Sequence, residues 1–74
     1  MKYIVIEIQK LADGTIAVPP VATFDTFSEA ASRYHSILAV AAVSDIPRHS
    51  AVILDETGIQ VRLDSFNNED PDAQ

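Results

Sequence analysis

The chain has no cysteine, so neither a disulfide nor a thiolate metal site can brace it. Its two histidines, His35 and His49, fall short of the three or four ligands zinc takes, and no metal is expected. Its two glycines sit in turn-forming settings, Asp13-Gly14 and Glu56-Thr57-Gly58, which leaves none for G-x-G-x-x-G or G-x-x-x-x-G-K-[ST] phosphate loops. A G-x-S-x-G nucleophile elbow is also missing. Serines, histidines and carboxylates occur without any spacing that links them, so neither a cofactor nor catalysis is expected. No run of 18 apolar residues exists to span a membrane. Met1-Lys2 leads straight into a strand pattern with no signal peptide, and a cytoplasmic location is the default expectation.

Cations are scarce as well: five Lys and Arg stand against eleven Asp and Glu, for a net charge of −6. Glu69, Asp70 and Asp72 supply half of that excess within Asn67–Gln74. Such a balance argues against a nucleic-acid polymer as partner and is most simply a matter of solubility. Residues 67–74 lack the apolar side chains to fold and are expected to be a disordered tail on a single domain of residues 1–66. A chain of 74 residues buries only about 60% of its unfolded surface. Scaffolds of this size need staples, and with disulfides and metals removed the remaining one is oligomerisation.

The stretch Thr26–Val43 organises the rest. Thr26 with Glu29 three residues on reads as a capping box, in which hydroxyl and carboxylate each satisfy a free backbone N–H. Ala30, Tyr34, Ile37 and Ala41 recur at helical spacing, with Leu38 beside them, and define a buried stripe. Glu29 and Arg33 are placed for an ion pair on the opposite side. The last turns, Ala39 to Val43, are apolar all round, which a surface helix does not sustain without cover from a loop or second subunit. Ser44-Asp45-Ile46-Pro47 ends the helix.

Strands flank it. Lys2–Gln9 alternates Ile4, Ile6 and Ile8 with Tyr3, Val5 and Glu7, and the isoleucine side is expected to meet the helix. Tyr3 and Val5 then mark a free, partly apolar face. Ile16 and Val18 begin a second strand that Pro19-Pro20 confines to an edge or breaks, with Val21–Phe24 resuming it. Phe24 and Phe27 are placed to pack the helix start onto the sheet. Ser50–Asp55 suits a central strand, and Ile59, Val61 and Leu63 alternate with Gln60, Arg62 and Asp64 as a half-buried one. The expected fold is α+β: β-β-α-β-β, a four-stranded, mainly antiparallel sheet with one helix on one face. A homo-oligomer is expected, joined through Tyr3, Val5, Ala39, Val40 and Val43.

The opening Met-Lys-Tyr-Ile-Val-Ile-Glu-Ile-Gln with Asp13-Gly14, then Tyr34-His35-x-x-Leu38-Ala39-x-Ala41-Ala42-Val43-Ser44 and Pro47-x-His49-Ser50-Ala51-Val52, resembles a group of short proteins of unassigned activity encoded by Firmicutes and their prophages. The resemblance covers residues 1–63 and transfers no functional residue. It implies a class of role instead: inhibitors of host defence, including oligomers that sequester a nucleotide signal, inhibitors that bind a host protein, and virion or assembly proteins. The leading expectation is a non-enzymatic oligomer that binds a small nucleotide. Tyr34 would stack on the base, and Arg33, His35, Arg48 and His49 would contact phosphate.

Overall fold

Alternation of isoleucine with Tyr3, Val5 and Glu7 makes Tyr3–Lys10 an extended strand, β1, and every other strand is placed relative to it. A computed structural model describes residues 1–68 and gives the order β1 (Tyr3–Lys10), β2 (Ile16–Ala17), β3 (Ala22–Phe24), α1 (Phe27–Ala41), β4 (Arg48–Asp55) and β5 (Gln60–Asn67). All strand pairs are antiparallel. β1 and β4 lie side by side in the middle, with Tyr3 opposite Asp55 and Lys10 opposite Arg48. β5 lies outside β4, and β2 and β3 share the other side of β1. The α+β class stands as expected, with one difference in strand count. The edge is two short strands because Pro19-Pro20, which lacks N–H donors, interrupts the ladder between Ala17 and Ala22.

Both hairpin turns need a backbone that only glycine adopts freely. Gly14 has φ +90° and Gly58 φ +89°. Asp13 and Asp55 stiffen these turns by accepting the N–H groups of Thr15 and of Thr57 and Ile59. At the start of α1, Thr26 accepts the Glu29 N–H at 3.2 Å. The box is only half formed, because the Glu29 carboxylate takes the Thr26 hydroxyl proton at 2.9 Å and not a backbone N–H. The expected buried stripe is present: Ala30, Tyr34, Ile37 and Ala41 are all buried, and Leu38 packs beside them. Phe24 and Phe27 pack the helix start as expected, with Phe27 edge-on to Tyr3 at 5.6 Å between ring centroids.

Two expectations about faces are corrected. The helix stands on Val5, Ala51 and Ile53, with Tyr3 at the margin, so Tyr3 and Val5 belong to the covered face and cannot line an open one. Since side chains alternate, Ile4, Ile6 and Ile8 point away from the helix. The reason is steric and polar together. Ala51 leaves room for the helix to approach, and the polar residues on the Val5 side, Glu7 and Gln9, find partners there. β5 follows suit: Arg62 lies over the Phe27 ring at 5.6 Å and Asp64 accepts from the Tyr34 hydroxyl at 3.2 Å. Val61 and Leu63 therefore face the uncovered side and stay exposed.

The domain also runs two residues further than composition indicates. Asn67 is the last residue of β5, and Asn68 donates its N–H to the Pro47 carbonyl at 2.6 Å. The remainder of the expected tail, 69–74, lies outside the described residues.

Candidate functional site

Two places concentrate side chains beyond the needs of a minimal core. The first is polar and lies where β1, β4 and the end of α1 converge. His49 is 1% exposed, the one buried polar residue among those described. Its Nε2 lies 2.6 Å from Glu7 Oε2, and its Nδ1 lies 3.2 Å from Ser44 Oγ. Gln9 donates to the same carboxylate at 2.8 Å, and Arg33 approaches its other oxygen at 3.9 Å. Burial acts to raise the Glu7 carboxyl, but hydrogen bonds from Gln9 and His49 and the charges of His49 and Arg33 outweigh it and hold the group below the ordinary glutamate value. Ser44 donates to the Ala41 carbonyl at 3.4 Å, and Asn68 Nδ2 donates to the carbonyls of Ala41 and Ile46 at 3.1 and 3.0 Å. These bonds satisfy acceptors at a helix end that has no basic residue in its last turn.

Ser44, His49 and Glu7 stand in the order hydroxyl, imidazole, carboxylate, which is also the order of a nucleophile, base and orienting acid. Each of the three is also bound into the fold. The imidazole is enclosed, and the hydroxyl is bonded to the helix end. A depression of about 470 Å³ lies at the β1–β2 turn between Lys10, Leu11, Asp13, Gly14 and Pro47. Among the described residues no buried side-chain nitrogen or oxygen lacks a hydrogen-bond partner, so the cluster offers no vacant valence.

The second place is the sheet face away from α1. Its rows read across the strands as Ile8, Ser50 and Ser65; then Ile6, Val52 and Leu63; then Ile4 and Leu54, with Val61 beside the irregularity near Leu54. Thr23 pairs with Ile4 and Ile16 with Lys10 at the edge. Ser50 and Ser65 bond each other at 2.8 Å, which removes the polar demand from the middle of the face. No element among the described residues packs over it, and Ile16, Val61 and Leu63 remain 56%, 42% and 52% exposed. Charge enters this face only at its ends, as Lys10 beside Arg48 and as Lys2.

The five residues expected to hold a ligand do not converge. Tyr34 is 2% exposed, so its ring belongs to the core and cannot stack on a base. Its hydroxyl proton is held more tightly than usual, by burial first and then by the Asp64 carboxylate. Arg33 and His49 both reach Glu7, and not a common void. His35 is exposed and edge-on to Tyr34 at 5.4 Å. Arg48 alternates with His49 and points to the other side of the sheet. Ala39, Val40 and Val43 at the helix end are exposed as the sequence indicates, with Val43 84% exposed, and no loop among the described residues covers them.

No known protein family, curated protein sequence or solved structure matches this chain. Among the described residues no helix is long and apolar enough to cross a membrane. The geometry therefore carries the functional argument unaided. Sequence reasoning reads Glu7 as a solvated or rim residue and passes over Ser44 and Asn68, because residues 7, 44, 49 and 68 lie far apart in the chain and meet only once the sheet forms. It passed over the isoleucine face for the opposite reason, by assigning its strongest signal to the covered side.

Proposed function

We propose that this protein is a non-enzymatic interaction module whose working surface is the isoleucine face of the sheet. One observation carries the reading: the helix covers the face that holds Glu7 and Gln9, and no described element packs over the opposite face, where Val61 and Leu63 are exposed, Ile4, Ile6, Ile8 and Leu54 are half-buried and Val52 is buried among them. Monomers rarely expose a continuous apolar patch beyond a few hundred Å², and those that do use it for contact. The resemblance to prophage-encoded proteins adds a class of role: assembly of a particle, or inhibition of a host protein, through a protein contact. Sequestration of a nucleotide is the weaker form of the proposal, since Tyr34 is enclosed and the cations are dispersed.

Native mass spectrometry of freshly purified protein tests this, because it records subunits, bound proteins and small molecules alike. The expected result is a protein complex without small excess mass, lost in Ile6→Lys and Leu63→Lys while their circular dichroism is retained. A small-molecule adduct that survives Ile6→Lys and disappears on changing Arg33 and His35 would overturn the reading in favour of nucleotide binding.

A further inference from the structure

We propose that the outer edge of β5 pairs with the same edge of a second copy of this chain, antiparallel and centred on Leu63, so that two sheets join into one. The inference goes beyond the reading above, because it uses the rim of the sheet and not its isoleucine face.

The two rims of the sheet are built differently. Beyond β1 lie β2, of two residues, and β3, of three, with Pro19-Pro20 between them, so that rim offers no continuous ladder. Beyond β4 lies β5, eight residues long and free of proline, glycine and lysine. Among the described residues no strand pairs with its outer side, and Gln60–Ser65 are exposed. A strand paired on one side turns half of its N–H and C=O groups to the other, where they template a further strand. Short strands, proline and lysine are the usual means of preventing this. This chain applies them to one rim and not to the other.

Charge selects the occupant and the register. Arg62 and Asp64 stand two residues apart, on the same side of β5 and both exposed. The irregularity in the β4–β5 ladder falls before them, and register is regular from Arg62 to Asn67. Facing residues of an antiparallel pair point to the same side of the sheet, so a two-fold axis normal to it must pass where a residue faces its own equivalent. At Leu63 that axis sets Arg62 opposite Asp64 and Asp64 opposite Arg62, two favourable pairs at once. At Arg62 or at Asp64 it sets like charges face to face, and at Ser65 it sets Asp64 against Phe66. The contacts made within one chain leave room for this. Asp64 takes the Tyr34 hydroxyl on Oδ2, with Oδ1 open to the second copy, and Arg62 rests on the Phe27 ring by its guanidinium face, whose edge carries the N–H donors.

The helices do not obstruct the join. α1 stands mainly over β4 and β1. With strands about 4.8 Å apart, a helix centred between those two lies about 10 Å from the axis. The two helices are then about 19 Å apart, whereas packed helices need only about 8–10 Å. Both isoleucine faces lie on the other side of the joined sheet, as one surface of double width.

Sedimentation velocity at low salt is the experiment, on the parent chain, Arg62→Asp, Asp64→Arg and an equimolar mixture of these two variants, each checked for retained circular dichroism. The parent is expected to be a dimer. Each variant alone sets like charges opposite one another twice, and its Kd should rise at least about tenfold. The mixture pairs acid with base at both positions and should dimerise as the parent does. Added salt should narrow these differences. In a chain without cysteine, Leu63→Cys should oxidise to a linked dimer, since facing Cα atoms lie about 4.5–5.5 Å apart. Ser65→Cys should not, because its equivalents are about 13 Å apart across the same axis. A parent chain that stays monomeric overturns the pairing. A mixture no tighter than its components, or equal linkage through both cysteines, overturns the register. Ile6→Lys lies two strands inward and should keep the edge pair while removing contacts made through the isoleucine face. A dimer lost in Ile6→Lys, with no linkage through Leu63→Cys, overturns the edge and assigns self-association to the face.

Discussion

The two faces of this sheet are built from the same strands and obey opposite rules. On the helix side the apolar residues form the core, and the polar groups around it bond within the chain. Val5, Ala51 and Ile53 take the helix, Glu7 holds His49 and Arg33, and Tyr34 donates to Asp64. On the other side Ile4, Ile6, Ile8, Val52, Leu54 and Leu63 dominate, with Ser50 and Ser65 bonded to each other and polar residues such as Thr23 and Gln60 at the margins. The first face is covered by the helix, and no element among the described residues packs over the second. On the proposed reading, the chain keeps its isoleucine positions for contact and stands its helix on the mixed side of the sheet.

Truncating the two faces should separate these rules most sharply. Ile53→Ala opens a cavity under the helix and should cost about 3–4 kcal/mol in urea unfolding whatever the protein concentration. On the proposed reading Ile6→Ala should cost less per chain, and its cost should grow with concentration if self-association buries the face. Equal, concentration-independent losses for both would erase the distinction.

Next in size, His49→Ala leaves Glu7 half-buried with only Arg33 and Gln9 beside it, and a destabilisation of about 2–3 kcal/mol is expected. The effect should depend on pH. The native Glu7 pKa lies below its ordinary value of 4.5, so its contribution is present above that value and is lost as pH falls through the lowered native one. Urea midpoints between neutral and acidic pH should fall less steeply in Glu7→Gln. Some slope should remain, because Asp13 and Asp55 are also held below their ordinary values, Asp13 by the N–H and hydroxyl of Thr15 and Asp55 chiefly by the Thr57 hydroxyl.

Tyr34→Phe removes a bond to a carboxylate that is itself exposed, and about 0.5–1 kcal/mol is the expected loss in the same assay. Its alkaline behaviour is more telling. The native pKa lies above the ordinary 10.0, so the contribution is complete below that value and is lost as pH rises beyond it. The phenylalanine variant should resist alkali better than the parent. Smallest of all, Val43→Ser at the exposed helix end should change stability by less than about 0.5 kcal/mol and leave the sedimentation profile unaltered. A dissociated Val43→Ser protein would move the contact from the sheet to the helix.

The elements themselves were legible in the chain. Period-two and helical patterns, the Thr26 cap, Asp13-Gly14, Thr57-Gly58 and the Pro19-Pro20 interruption each act over a few residues, and local physics is readable locally. The choice of face was not. Ile4, Ile6 and Ile8 announce a buried side, and hydrophobicity alone cannot say whether the cover comes from the same chain. A clue was present in β5, where Val61 and Leu63 oppose Arg62 and Asp64. Putting the apolar side of β5 with that of β1 creates one wide apolar sheet face, too large for the narrow Ala30–Tyr34–Ile37–Ala41 stripe. The Glu7–His49–Ser44–Asn68 tie was illegible because its spacing is set by strand register and not by sequence distance.

The register of β1 also sets a timetable. Ile6 pairs with Val52 and Ile4 with Leu54, so the first strand made waits for nearly the last. The β4–β5 hairpin, with its Asp55-braced turn, closes in roughly 1–10 μs once both strands exist. At ribosomal speeds of about 5–20 residues per second, some 45 residues separate β1 from its central neighbour by about 2–9 s. For that interval Ile4 can pair only with Thr23 of β3, and Ile6 and Ile8 lack their β4 neighbours. Nascent-chain chaperones that hold short extended aliphatic segments should find their best purchase on Tyr3–Ile8, and release should coincide with the emergence of β4.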